Sequence, residues 1–358
     1  MTNAVNVAQA ASSIYSFKNR VINGAMTINQ RGTTATTNGG FPVDRFSIGN
    51  NSGATYTGTQ DTNAPAGFAN SLKITITGTA TPTGSNQFAL YQGLEGYNTY
   101  DLLFGTANAK TVTLSFWVNC SLTGTFGGAL QNYAQSRSYP FSYTITSANT
   151  WQQVVVTIPG DTGGTWVGAS NAGSMELCFG LSVGPTYSGP AGAWAGTTYL
   201  TVTGATNFTG TSGATFYLTG VQLEVGSQAT GFDFRPISTE VALCQRYYIV
   251  APSIIMIYNA STTSMLGYYT FPVPMRTGPT VGLTTTSPYV ESVPWTTVGS
   301  LTGAGITYNN SHNSVLGGDL KITGTFSPSP SSGQPWLIGD LTTGAFAGGG
   351  PVYFSAEL

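Results

Sequence analysis

From Leu218 to Tyr248 the chain reads LTGVQLEVGSQATGFDFRPISTEVALCQRYY, an order of residue types that constrains the fold more than any other segment. A strand-like alternation runs from Leu218 to Glu224, a Gly/Ser turn follows, Phe232 and Phe234 alternate with polar neighbours, and Pro236 stops the strand. Ser238-Thr239-Glu240 then opens a helix that places Val241, Leu243 and Cys244 on one face. One β-rich module therefore ends here and another begins.

Composition says what surrounds such a seam. Only 7% of the 358 residues are charged, against roughly 25% in an ordinary soluble protein, while glycine alone supplies 47. A surface so poor in charge must be covered by hydroxyls, amides and backbone, or lie against neighbouring subunits, because a nearly neutral exposed β protein invites edge-to-edge association. The aromatic fraction of 12% argues against disorder. Eleven Lys and Arg are scattered singly under a net charge of −2, so no basic stripe tracks a phosphate backbone, and nucleic-acid binding is not expected. No apolar run reaches the ~18 residues of a membrane span, and the opening MTNAVNVAQAASSIYSF lacks the basic end and apolar centre of an export signal, so neither a membrane span nor a standard secreted precursor is expected. Cys120, Cys178 and Cys244, three thiols far apart, read as reduced and buried.

Along the chain the pattern predicts an all-β protein: an N-terminal arm (1–22), a jelly-roll or β-sandwich domain (23–237) and a smaller β-sandwich (238–358). Ala4, Val5, Ala8 and Ala11 fall at helical spacing in the arm, a helix too short to stand alone, so the arm is read as an anchor with Val5, Ala8, Ile14 and Tyr15 as its docking candidates. Strict alternation marks strands at Ser71–Thr77 and Val112–Val118, and further strands are expected near Trp151–Gly160, Glu176–Val183 and Thr215–Glu224. The glycine-rich interval 184–214 reads as crossing loops, and six or so short strands follow after Tyr247.

The seam resembles one found in bacteriophage virion proteins, chiefly tail-fibre and related appendage proteins. Val221–Glu224, Gly226, Ala229-Thr230, Phe232, Arg235 and Cys244–Tyr248 match the pattern "VQLE.G..AT.F..R" followed by "CQRYY", and the head matches in Asn23–Met26, Gln30–Gly32 and Asp44–Phe46. The resemblance covers roughly residues 19–248. It implies a carbohydrate-binding-module-like jelly roll on a fibre or decoration subunit of the virion, homotrimeric, joined to other virion proteins through its N-terminal segment and able to contact host-surface glycans.

Catalytic patterns are sparse. His312 is the single histidine, in a stretch that reads as a polar turn, and neither a phosphate-binding loop nor a DxDxDG-like calcium cluster occurs, so no catalytic residue, metal or cofactor is assigned. The alternative is a tailspike-like polysaccharide-degrading enzyme, which would need two carboxylates roughly 5 to 10 Å apart; Glu95 and Asp101, among Tyr91, Tyr97 and Tyr100, are the nearest such pair in sequence. Aromatics in polar loops are the better carriers of binding, since a ring offers a stacking surface to the apolar face of a sugar. Trp166, Tyr187 and Trp194, with Tyr133 and Tyr139 beside Gln131, Asn132, Gln135 and Arg137, are the glycan or receptor candidates.

Overall fold

The computed structural model describes residues 18–32, 34–251, 254–261, 263–283, 289–292, 298–314, 316–327, 336–339 and 352–358. The anchor candidates Val5, Ala8, Ile14 and Tyr15 lie outside the described residues. Two units divide between Glu240 and Val241, Leu358 counting with the first.

Twelve strands build the first unit: β1 (Ser47–Asn50), β2 (Thr55–Asp61), β3 (Ser71–Gly78), β4 (Gln87–Glu95), β5 (Val112–Cys120), β6 (Gly124–Asn132), β7 (Ser138–Ile145), β8 (Gln152–Ile158), β9 (Gly173–Val183), β10 (Ser188–Gly189), β11 (Thr201–Val202) and β12 (Thr215–Val225). They form two five-stranded antiparallel sheets, β1-β4-β9-β6-β7 and β2-β3-β12-β5-β8, with β10 and β11 as a short parallel pair. Sequence neighbours are rarely sheet neighbours, as in a jelly roll. Alternate residues of each strand enter the space between the sheets: Leu72, Ile74 and Ile76 from β3, Leu114, Phe116 and Val118 from β5, Met175, Leu177, Phe179 and Leu181 from β9. Phe116 sits at the centre, edge-on to Phe179 at 5.0 Å and to Tyr143 at 5.2 Å.

β12 shows how register and sequence are reconciled. Phe216 and Leu218 point into the core, and so do Val221 and Leu223, although a strict period of two would turn the second pair outward. A bulge between Thr219 and Gln222 absorbs the odd residue, and Gly220 at φ +61° supplies the left-handed backbone it needs. The sequence-predicted strands at 71–77, 112–118, 176–183 and 215–224 fall within β3, β5, β9 and β12, and the one at 151–160 overruns β8 at both ends. β1, β2, β4, β6, β7, β10 and β11 are additional; glycines at 93, 127 and 128 break the apolar pattern of β4 and β6, and Tyr139 lies on β7.

The matched motif residues at the head and the seam form one hydrogen-bonded knot. Past the bulge, the head takes over from β3 as the neighbour of β12: Arg20 N donates to Leu223 O at 2.9 Å and Val221 N to Gly24 O at 2.9 Å. A β-carbon on Gly24 would lie 2.1 Å from the Val221 oxygen, so no larger residue fits. Asn19 Oδ1 accepts from the backbone N–H groups of Val21 and Leu223, both at 3.0 Å. Buried Gln222 and Glu224 pin the following turn, with Glu224 accepting from Thr230 N and Oγ1 at 2.8 and 2.7 Å and Gln222 Oε1 from Asp233 N at 2.8 Å. Arg235, its side chain 4% exposed, donates to the Asn19 and Val21 carbonyls and to the Glu240 carboxylate at 3.2 Å. Asn23 closes the head on itself through Ile28 and the Asp44 carbonyl.

The second unit begins within α1 (Ile237–Gln245), which crosses the division where the seam predicted a helix. β13 (Tyr248–Ala251), β16 (Thr280–Leu283) and β21 (Val352–Ser355) form a three-stranded sheet in the order β13-β21-β16. β14 (Ile254–Ser261), β15 (Ser264–Thr270), β17 (Tyr289–Ser292), β18 (Val298–Ser314), β19 (Gly317–Ser327) and β20 (Trp336–Gly339) close into a barrel, β14-β15-β19-β18-β17-β20. The expected small sandwich is thus a barrel with an accompanying sheet. Its physical origin is β18, 17 residues long, with register shifts that let a long strand coil, and closure leaves no barrel strand with an unpaired edge. His312, expected in a polar turn, lies in β18. Ile249, Met265, Phe271, Leu320, Ile322 and Phe354 are among its core residues. No helix among the described residues is long and apolar enough to cross a membrane, which says nothing of β-barrels.

Candidate functional site

The structure brings three of the five candidate aromatics into one packed corner. Trp166 and Trp194 meet at 90° with ring centres 5.6 Å apart, Phe104 stands edge-on to both at 4.9 and 5.8 Å, and Tyr139 packs on Trp194 at 5.4 Å. Both indole N–H groups are committed, Trp194 to the Pro159 carbonyl at 2.7 Å and Trp166 to Asp161 Oδ2 at 3.2 Å. Asp161, its side chain 2% exposed, also receives Arg137 Nε at 2.8 Å and a second guanidinium nitrogen at 2.5 Å. Burial pushes the Asp161 carboxyl up, but Arg137, the Gly163 N–H and Trp166 outweigh it and hold the group below its ordinary range. The two tryptophans, expected as open platforms, are half-buried and turned edge to face. The corner fastens the segments around 159–166 and 194–197 to β7.

Tyr187 and Tyr133 stand elsewhere, on the outer face of the β1-β4-β9-β6-β7 sheet. Part of that face is covered by the strap from Tyr187 to Val202, which lies close because Gly127 and Gly180 beneath it have no side chains; a β-carbon there would come 2.6 Å from Thr201 Oγ1 and 2.5 Å from Leu200 O. Tyr187 packs with Tyr91 against Ala89, Cys178 and Leu200 under this strap.

Beside the strap runs a polar strip in which Glu176 is half-buried and Gly93, Gln131 and Ser138 are buried, the Leu358 side chain lying over Gly93. Gly93, Glu176, Gln131 and Ser138 are opposed in register across β4, β9, β6 and β7, a line of about 14 Å at ordinary strand spacing. Gln131 Nε2 donates to Glu176 Oε2 at 2.5 Å, and the exposed Gln135 amide stands near enough to favour that carboxylate. Desolvation outweighs both amides and raises the Glu176 pKa above its ordinary value. At one end of the strip the Tyr133 ring rests on Gly173, where a β-carbon would meet it at 2.6 Å, and the ring is 37% exposed. Along the other side the Tyr91 ring lies over Gly49, and its hydroxyl donates to Gln87 Oε1 at 3.0 Å. At the far end Ser138 Oγ donates to the Thr197 carbonyl at 2.7 Å and accepts from Tyr199 N at 3.0 Å, so the strap walls the strip. One exposed ring seated on bare backbone, Tyr133, at the end of a line of amide and carboxyl groups suits a ligand with an apolar face and a hydroxylated rim.

Of this strip, sequence reading identified Tyr133 and the neighbouring Gln131 and Gln135, and missed Tyr91 and Glu176. Alternation could have found Glu176, which faces away from Met175 and Leu177 on the same strand. The carboxylate pair considered for catalysis is separated in role: Asp101 is ion-paired with Arg20 at 2.7 Å, while Glu95 is buried at the end of β4. Among the described residues no group of three or more His, Cys, Asp or Glu side chains could hold a metal ion. Cys120, Cys178 and Cys244 are buried, and burial raises the Cys120 thiol to about 11.

No family model and no curated protein matches the chain. Among solved structures it is similar to a putative sugar binding protein from Bacteroides thetaiotaomicron, at 13% identity and TM-score 0.34, over 58% of this chain and 100% of that one. The family 11 carbohydrate-binding module of a cellulosomal cellulase of Clostridium thermocellum matches at 12% and 0.28, over 56% and 98%. The enzymatically active domain of tailspike protein 4 of bacteriophage CBA120 matches at 13% and 0.32; the match spans 58% of this chain and 21% of the tailspike chain. At these scores the likenesses carry no functional weight of their own.

Proposed function

We propose that this protein is a non-enzymatic structural subunit of a bacteriophage particle, a fibre or decoration protein that contacts host-surface glycans through the strip on the outer face of its first unit. The observation that carries the glycan reading is the strip itself: Gln131 and Glu176 paired across adjacent strands beside the glycine-seated ring of Tyr133, with Gln135 on the turn above them. The virion assignment rests on the head and seam motifs, whose residues form the knot that closes this jelly roll. Glu176 is met by the amides of Gln131 and Gln135, an arrangement that fixes a carboxyl for recognition; glycoside hydrolysis would set a second carboxylate opposite it. As a homotrimer attached through its N-terminal segment, the protein would present three such strips, and many weak contacts on one particle sum to useful avidity.

The test is the full chain on an array of bacterial surface oligosaccharides, with mass in solution measured by light scattering. Saturable binding that Tyr133→Ala reduces, by a species of three times the chain mass that releases no reducing ends, is the expected result. Cleavage of any bound oligosaccharide would overturn the non-enzymatic reading, and a monomer would overturn the trimer.

A further inference from the structure

Resting on that reading, we infer that the strip selects uncharged, hydroxyl-rich glycans and rejects anionic ones, with Glu176 as the residue that sets this preference. The polar atoms along it are unbalanced. Gln131 is 0% exposed, its Nε2 is spent on Glu176, and its Oε1 is buried with no hydrogen-bond donor among the described residues. The Tyr91 hydroxyl already donates to Gln87. Acceptors therefore outnumber donors, and the missing groups are donors, which a pair of neighbouring sugar hydroxyls supplies. The way in passes Gln135, an exposed side chain on left-handed backbone at φ +55° that reaches the same carboxyl.

Charge sets the rest of the preference. The groups that act on the Glu176 carboxyl are its own burial, Gln131 and Gln135; no cation is among them. Its charge is felt by Tyr91 and Cys178, both of which it makes harder to ionise. Arg137 is held bidentate by Asp161, and Arg45 is buried with its guanidinium on the Gly93 carbonyl at 2.6 Å. A uronate or sialate carboxylate placed beside Glu176 would meet a like charge, and none of the groups acting on that carboxyl is a cation. At a few ångströms and partial desolvation that repulsion amounts to about 1.4 kcal/mol or more, a tenfold or greater loss of affinity.

The experiment uses matched pairs of oligosaccharides that share linkage and length and differ only in oxidation of C6 from alcohol to carboxylate, titrated calorimetrically against the full chain and its Glu176→Gln variant at neutral pH and low salt. The neutral member should bind at least tenfold more tightly to the parent protein. The gap should close in Glu176→Gln and narrow in the parent at high salt. If the acidic member binds as well as the neutral one, or if the gap survives in a Glu176→Gln protein of unchanged circular dichroism, the charge inference is overturned while glycan binding stands. If neither member of any pair binds, the glycan reading falls and the inference with it. Gln131→Leu is the second probe, expected to weaken neutral ligands without creating affinity for acidic ones.

Discussion

The knot at the head and seam and the strip on the sheet face both consist of polar side chains on a β-sandwich, yet they are built to opposite rules. In the knot, Gln222, Glu224, Asn19 and Arg235 spend their hydrogen bonds on backbone and on one another, and the result is closure of the fold. In the strip, Gln131 keeps an acceptor in hand and Glu176 is held by amides, with no cation among the groups acting on it. Satisfied polar clusters fix structure; an unsatisfied one is held open for something else.

The comparison breaks most visibly at Arg235. Removing it strands the partly buried Glu240 carboxylate and frees two carbonyls at the head, so Arg235→Ala should cost about 3–5 kcal/mol of stability, read as a lower midpoint in urea. Glycan affinity measured below that midpoint should be unchanged. A loss under about 1 kcal/mol would show that the knot does not clamp the fold.

A smaller and more informative contrast comes from two aromatics. Trp194→Ala opens the packed corner and should cost on the order of 2–3 kcal/mol, below the value for a fully buried ring, with little change in ligand affinity. Tyr133→Ala should leave stability within about 0.5 kcal/mol and weaken glycan binding roughly tenfold. Calorimetric melting beside titration of one oligosaccharide separates the two, and an exchange of these outcomes would move the site to the corner.

The smallest effect is in pH. Asp161 is held below its ordinary range, so its contribution is present above that range and is lost as pH falls through the depressed value; Asp161→Asn should flatten the acid limb of stability. Glu176 has the opposite sign: with its pKa raised in the folded state, stability is highest below the ordinary glutamate value and declines as pH rises through the raised one. Glu176→Gln should therefore melt higher than the parent at neutral pH and equal to it under acid conditions.

How much of this was legible in sequence follows from the same contrast. The knot is written in contiguous motifs, and β3 and β5 alternate cleanly enough to be read. The strip depends on Gln131 and Glu176 being opposed across β6 and β9, a register that no local period encodes. Alternation places Glu176 away from the core but cannot name its neighbour. The tryptophans misled for a related reason: flanking Gly, Ser and Thr mark a loop, but whether a loop ring lies open or edge-on depends on what the next loop brings to it.

The junction where the head lies along β12 also fixes when this protein can fold. Asn19 meets its partners Val221 and Leu223 only after more than 200 further residues have been made. At ordinary translation speeds of roughly 5–20 residues per second, the head leaves the ribosome about 10–40 s before its neighbour exists. Until then the sandwich is an open book with its first page loose, and every nascent copy on a polysome carries unpaired β surface beside others in the same condition. Yield of this protein should therefore depend on synthesis rate and chaperone supply more than on the stability of the finished fold.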